Sequence, residues 1–231
     1  MSQLLQEGTI KAHQQAEHSQ GAAWLTGGQL DRLEYARFLI SLYQIYSCVP
    51  KSPTSIVFDV DRWRTDMVAP HSALENGLDA HSTNSVLQHT YQPALLARTP
   101  HLAADIAYIL GTPDWQSHSI FLESEIFTPS PLSDYVSRIR TLSASDATAP
   151  LLLAHAYVRY LGDLSGGQVI KRRLMRVYNL PETGEGVRFY EFESARGDER
   201  KAGQLEMKQV KSWYRGGMDA GVGENEKLKG E

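Results

Sequence analysis

Three groups of residues in this chain of 231 residues could do chemistry. The first is His13-Gln14-Gln15-Ala16-Glu17. On a helix His13 and Glu17 sit one turn apart on one face, so the carboxylate can orient or polarise the imidazole. A neutral imidazole held this way is a competent iron ligand; the plainer reading is a surface His–Glu pair. The second group is Tyr157-Val158-Arg159-Tyr160-Leu161-Gly162-Asp163-Leu164-Ser165-Gly166-Gly167-Gln168. It reads as a helix interior, yet each glycine there costs about 1 kcal/mol relative to alanine. Gly162 and Gly166 share a face, where bare backbone lets the helix bend and lets something flat press on it. Close helix–helix packing through small residues is the alternative. Arg159, Asp163 and Gly166 fall on one stripe, and a buried Arg or Asp is costly unless paired; the two are expected to bond each other or a water. The third group is Lys211 with Arg215, beside Trp213 and Tyr214. Two cations at i, i+4 can grip two carboxylates, Arg bidentately, or can simply form a solvated face. His155 is a rival ligand candidate whose plainer role is a core histidine. Together the groups suggest a flat, anionic, metal-bearing molecule between two helices.

The elements that would position these residues read as all-α. Residues 2–18 have helical spacing. Gly27-Gly28 breaks the chain, and Asp31 with Glu34 three residues on has the form of a capping box. The apolar helix that follows carries Leu33, Tyr35, Phe38, Leu39, Leu42, Tyr43, Ile45 and Tyr46 and stops at Cys48-Val49-Pro50-Lys51-Ser52-Pro53, since two prolines cannot continue it. Residues 49–72 are compositionally odd, with a strand-like Ile56-Val57-Phe58-Asp59-Val60. If they are removed, Leu74 and Leu78 fall 11 and 15 positions beyond Leu39, in phase with Tyr43 and Tyr46. The segment therefore interrupts one continuous helical stripe, as a translated intronic segment would, or is a surface loop inserted at a kink. Further helices are expected over Pro100–Leu110, Pro131–Leu142, Thr148–Tyr178 and Gln204–Met218, the last closed by Gly216-Gly217 and Gly221. Residues 181–203 read as loop, and 223–231 as a polar tail.

Composition narrows the classes. The length suits one large domain or two small ones, with a substantial core. A formal net charge of −4 gives no bias towards nucleic acid, although Lys171-Arg172-Arg173 with Arg176 form a local basic cluster. The single cysteine, Cys48, excludes an intrachain disulfide and a CxxC site. No stretch resembles a signal peptide or approaches the roughly 20 apolar residues of a membrane span. The expected location is cytoplasmic or peripheral on the ER surface, not secreted.

His155 to Gln168 closely resembles the distal-helix signature of the haem oxygenases. His13 to Glu17 resembles that family's proximal motif and Ser41-Leu42-Tyr43-Gln44-Ile45-Tyr46 its second-helix motif. Phe189-Tyr190-Glu191-Phe192 and Trp213-Tyr214-Arg215-Gly216-Gly217-Met218 are similar to its C-terminal pattern. The likeness covers roughly 1–48 and 73–222. It implies a single-domain helical bundle with haem between a proximal and a glycine-kinked distal helix. It also implies that His13 ligates the iron with Glu17 behind it, and that Gly162 and Gly166 lie over the haem. Asp163 would organise distal water with Tyr46 and Arg159, while Tyr157, Lys211 and Arg215 would contact the propionates. The implied reaction turns haem, dioxygen and electrons from NADPH, passed through a reductase of the cytochrome P450 reductase type, into biliverdin, carbon monoxide and ferrous iron. Two departures stand out. Gln6 replaces a basic propionate contact, and 49–72 follows Tyr46 almost directly. A haem-binding or haem-sequestering homologue with impaired turnover is the rival this second departure implies.

Overall fold

The computed structural model describes residues 1–47, 73–127, 129–194 and 201–223. Cys48, the strand-like stretch within 49–72 and the tail after Gly223 lie outside them. The described residues form ten α-helices and no strand, apart from one isolated antiparallel bridge, Glu193 with Lys201. They are α1 Ser2–Glu17, α2 Gln20–Gly27, α3 Arg32–Tyr46, α4 Ala73–Ala80, α5 Pro93–Leu96, α6 Thr99–Leu110, α7 Ser119–Ile126, α8 Ser130–Leu142, α9 Leu152–Val177 and α10 Gln204–Val222.

The core sits around α3 and α9. Asp31 caps α3 as the sequence implies: its Oδ1 accepts from the Glu34 N–H and its own N–H donates to Glu34 Oε2, both at 2.8 Å. The apolar stripe of α3 buries Tyr35, Ala36, Leu39, Ile40, Leu42, Tyr43 and Tyr46, chiefly against α6, with α7 and α4 alongside. In α4 Leu74 is fully buried and Leu78 packs on the core, so the stripe of α3 does resume beyond residue 72. The long α9 crosses this layer and buries Leu153, Ala156, Tyr157, Tyr160, Leu161 and Leu164.

Three short helices, α2, α5 and α7, exceed the sequence expectation. α2 is announced by Ser19, whose Oγ accepts from the Ala22 N–H at 3.2 Å, and ends at Gly28 with φ +70°. α7 starts with His118 Nδ1 accepting from the Ile120 N–H at 3.3 Å. The last helix also corrects the sequence reading. Gly216, Gly217 and Gly221 do not close α10, which runs on to Val222. A Cβ at Gly217 would collide with the carbonyl oxygen of His89, and one at Gly221 with that of Val86. These glycines let the helix pass backbone against backbone.

Residues 181–203 are less formless than their composition suggests. A 3-10 turn at Arg188–Tyr190 is fixed by two charges buried beneath it. Asp105 of α6 accepts the N–H groups of Arg188 at 2.9 Å and Phe189 at 2.8 Å, and burial pushes its pKa up to about 7. Arg98, 1% exposed, donates to the carbonyls of Leu95, Leu96, Phe189 and Glu191, with its guanidinium 4.0 Å from the Phe192 ring centroid.

Candidate active site

Tyr46, Arg159 and Asp163 are brought together where α3 ends against α9. The Tyr46 hydroxyl donates to Asp163 Oδ2 at 2.6 Å, and Arg159 Nε donates to the same hydroxyl at 3.2 Å. The guanidinium lies 5.2 Å from the Tyr46 ring centroid, a cation–π distance. Arg159 and Asp163 therefore do not pair directly; the tyrosine bridges them. Burial pushes the Asp163 carboxyl above its ordinary range, while the charges of Arg159 and Arg98 and the Tyr46 hydrogen bond pull it back. Burial opposes the Arg159 charge, but Tyr46 and Asp163 more than offset it, so that pKa moves up. The Phe189 ring packs edge-on against Tyr46 at 5.6 Å, and Gln168 Nε2 donates to the Tyr190 carbonyl at 2.7 Å. The loop held by Asp105 and Arg98 thus braces the network from behind.

Arg98, Asp105 and Glu75 are functional supports that the sequence reading missed. Glu75 accepts the backbone N–H of Arg98 at 2.6 Å. The available signal was a lone charge in an apolar run: Arg98 follows Leu95-Leu96-Ala97, and Asp105 lies inside Leu102–Leu110.

Along the same helix the glycines separate into two kinds. A Cβ at Gly162 or Gly166 meets nothing within 4 Å among the described residues, while one at Gly167 would stand 2.9 Å from Tyr190 Cδ1. Only Gly167 serves helix packing. Gly162 and Gly166 are exposed, in one strip with Ser165, Val158 (48% exposed) and Val169 (52%). Bare backbone flanked by two exposed valines is a nearly flat surface with no protein against it among the described residues.

α1 runs alongside this strip. It buries no residue and is held at its ends. Ser2 donates through N and Oγ to Asp219 of α10 at 2.9 and 3.0 Å. At the other end α2 packs on α9, with Gly28 against Val177 and the Tyr178 hydroxyl donating to the Leu25 carbonyl at 3.3 Å. A cavity of about 440 Å³ separates the first turns of the two helices, with Leu4 and Leu5 on one wall and Leu153, Ala154 and His155 on the other. α1 and α9 therefore run in the same direction. Eight residues beyond Leu5 is His13, and eight beyond Ala154 is Gly162, each step being about 12 Å along a helix. By that register His13 is expected at the level of the bare strip. His13 Nδ1 lies 3.5 Å from Glu17 Oε2, with the two side chains 67% and 60% exposed.

The remaining candidates are more dispersed. Lys211 is half-buried and Arg215 exposed one turn apart on α10, and neither has an ion-pair partner among the described residues. Tyr157 is buried in the core face of α9 rather than in the exposed strip. His155 takes the plainer of its two roles: its Nδ1 meets the Tyr135 hydroxyl at 3.2 Å, and burial, then the Arg138 charge, lowers its pKa. Among the described residues no three His, Cys, Asp or Glu side chains gather into a metal site.

Comparison with known proteins agrees with this geometry. The family model described as Heme oxygenase matches residues 1–52 and 61–222. Heme oxygenase 2 of Synechocystis sp. is 35% identical over 204 residues, 87% of this chain and 66% of that protein. The structure of heme oxygenase from Leptospira interrogans aligns with a TM-score of 0.71 at 30% identity, covering 99% of this chain and 89% of that one. That of heme oxygenase-2 from Synechocystis in complex with heme and NO gives 0.73 at 32% identity, covering 98% and 75%. The chain spans 53–66% of the length of curated relatives such as the Synechocystis and chicken proteins.

Proposed function

The chain belongs to the haem oxygenase family, and from that premise we propose that it cleaves haem oxidatively to biliverdin, carbon monoxide and ferrous iron. The observation that carries this reading is the bare Gly162–Gly166 strip backed by the Tyr46–Asp163–Arg159 network. A flat molecule can lie on the strip at van der Waals distance because no Cβ intervenes. His13 would hold the iron, and one protein ligand suffices for a metal whose other ligands arrive with it. Haem, when bound, supplies both the iron that activates dioxygen and the porphyrin edge that is oxidised.

The chain's own residues do the rest. Glu17 orients the His13 imidazole. The backbone at Gly162 and Gly166 would lie close against one face of a bound haem and leave little room over it. Asp163, shielded from direct contact by its place behind the glycines, holds a water and releases a proton through it, and Tyr46 and Arg159 fix the carboxylate for that task. Lys211 and Arg215 reach for propionates, whereas Tyr157 stays in the core face of α9. NADPH-derived electrons would come through a reductase of the cytochrome P450 reductase type, in the cytoplasm or at the ER surface. No described helix is long and apolar enough to cross a membrane.

We read 1–222 as one domain interrupted at 49–72. The family model passes over residues 53–60 inside that segment, and α3 keeps its full length and the Tyr46 hydrogen bond up to the interruption. An impaired distal network, which would favour mere haem sequestration, therefore finds no support at Tyr46. The test is a hemin titration followed by NADPH and reductase in air. Loss of the Soret band with growth of biliverdin absorbance is the expected result, and deletion of 49–72 should preserve it. A stable haem complex without conversion would overturn the enzymatic reading.

A further inference from the structure

The cavity at the α1–α9 entrance has no part in that chemistry. Its 440 Å³ falls within the range of small-molecule sites. Leu4 and Leu5 of α1, Leu142 of α8, Leu151 and Leu153 at the start of α9 and Val222 at the end of α10 make its walls apolar. Four separate elements converge there and leave a partly open cleft that no described residue fills.

The polar groups are few and of one sign. Arg138 of α8 lines the cavity, is exposed, and has no ion-pair partner among the described residues. Burial, then the Arg138 charge, lowers the His155 pKa and so disfavours its charged form, and its Nδ1 is engaged by Tyr135. The amino group of Met1 at the rim is already paired with Asp219 at 3.1 Å. One uncompensated cation thus stands beside an otherwise apolar chamber.

We propose that this cavity binds an amphipathic carboxylic acid, with Arg138 on the carboxylate and the alkyl chain against the leucines and Val222. A bound chain touches α1 at Leu4 and Leu5 and ties that helix to α8 and α9. Because α1 is otherwise held at its ends among the described residues, the ligand also fixes the register of His13 against Gly162. On the haem reading, it therefore raises haem affinity, and haem raises affinity for the acid by the same factor.

The probe is decanoate below its micellar concentration, titrated calorimetrically into the full chain without haem. Saturable one-to-one binding is expected, about tenfold weaker in Arg138→Gln (~1.4 kcal/mol) and unchanged in Arg172→Gln, a remote exposed cation on α9. 1-Decanol, which has the chain but no charge, should bind about tenfold more weakly than decanoate to the wild type and equally to Arg138→Gln. Non-saturable uptake, or decanol binding as tightly as decanoate, would overturn the site. So would a decanoate-insensitive dimer in sedimentation, which would mean that a second copy fills the cavity. Hemin titrations with and without decanoate test the coupling, and equal midpoints would refute it. Decanoate binding that persists while hemin binding is absent would instead sink the haem reading and leave the acid site standing.

Discussion

Gly162 and Gly166 on α9 and Gly217 and Gly221 on α10 are the same residue at the same spacing on two helices, used for opposite purposes. On α10 the missing side chains are replaced by protein: the carbonyls of Val86 and His89 occupy the space a Cβ would need. On α9 nothing among the described residues occupies it. A helical glycine costs about 1 kcal/mol in either place. On α10 backbone contact recovers that cost, while on α9 the folded protein recovers none of it. A cost left standing in the folded chain marks the surface meant for something else.

Substitution breaks the symmetry between the two pairs. The largest effect is expected from Gly221→Ala and Gly217→Ala. The obstructing atoms are backbone and cannot rotate aside, so each change should lose about 1–3 kcal/mol, as overpacked cores do, read as a lower urea midpoint. An unchanged midpoint would mean that α10 is not seated on residues 86–90. Next is Tyr46→Phe, which strips Asp163 of its donor and Arg159 of its acceptor. A buried polar group left unsatisfied costs about 1–3 kcal/mol; biliverdin yield should fall while hemin still binds, and normal yield would refute the proposed role. Gly162→Ala and Gly166→Ala should have the opposite sign from the α10 pair. Each gains up to about 1 kcal/mol of helix stability, yet weakens the hemin complex roughly tenfold or more (~1.4 kcal/mol). Full hemin affinity in the more stable variant would show that the strip faces no ligand. His13→Ala, at an exposed site, should move stability by less than about 0.5 kcal/mol but change the axial signature of the hemin spectrum. A wild-type spectrum would remove His13 from the site.

Much of this was legible in the residues. The capping box at Asp31 and Glu34, the α3 stripe and its resumption at Leu74, and the all-α class follow from local pattern, and the structure keeps them. The glycine helix was legible as unusual, but not which glycine served which purpose. Gly166 and Gly167 are adjacent letters on different faces, one open and one against Tyr190. The α10 glycines were misread as a stop because the partner that excuses them, the stretch around Val86 to Thr90, is remote in sequence. The Arg159–Asp163 pairing was nearly right: both charges are satisfied, but through a tyrosine 113 and 117 positions away. Arg98 and Asp105 escaped notice because their partners are backbone groups, which carry no letter in a sequence.

Arg98 can also be viewed as an ion with a coordination sphere. Its guanidinium is ringed by the carbonyl oxygens of Leu95, Leu96, Phe189 and Glu191 and faces the Phe192 ring, much as a loop wraps a bound cation. The chain carries this cation covalently, so the sphere forms without any exogenous metal. Residues 189–192 consequently acquire order with almost no regular hydrogen-bonded structure of their own, in the way a calcium loop does. Because the ion is tethered, it cannot be chelated away. The wall behind Tyr46 therefore stays assembled whether or not the cleft in front of it is filled.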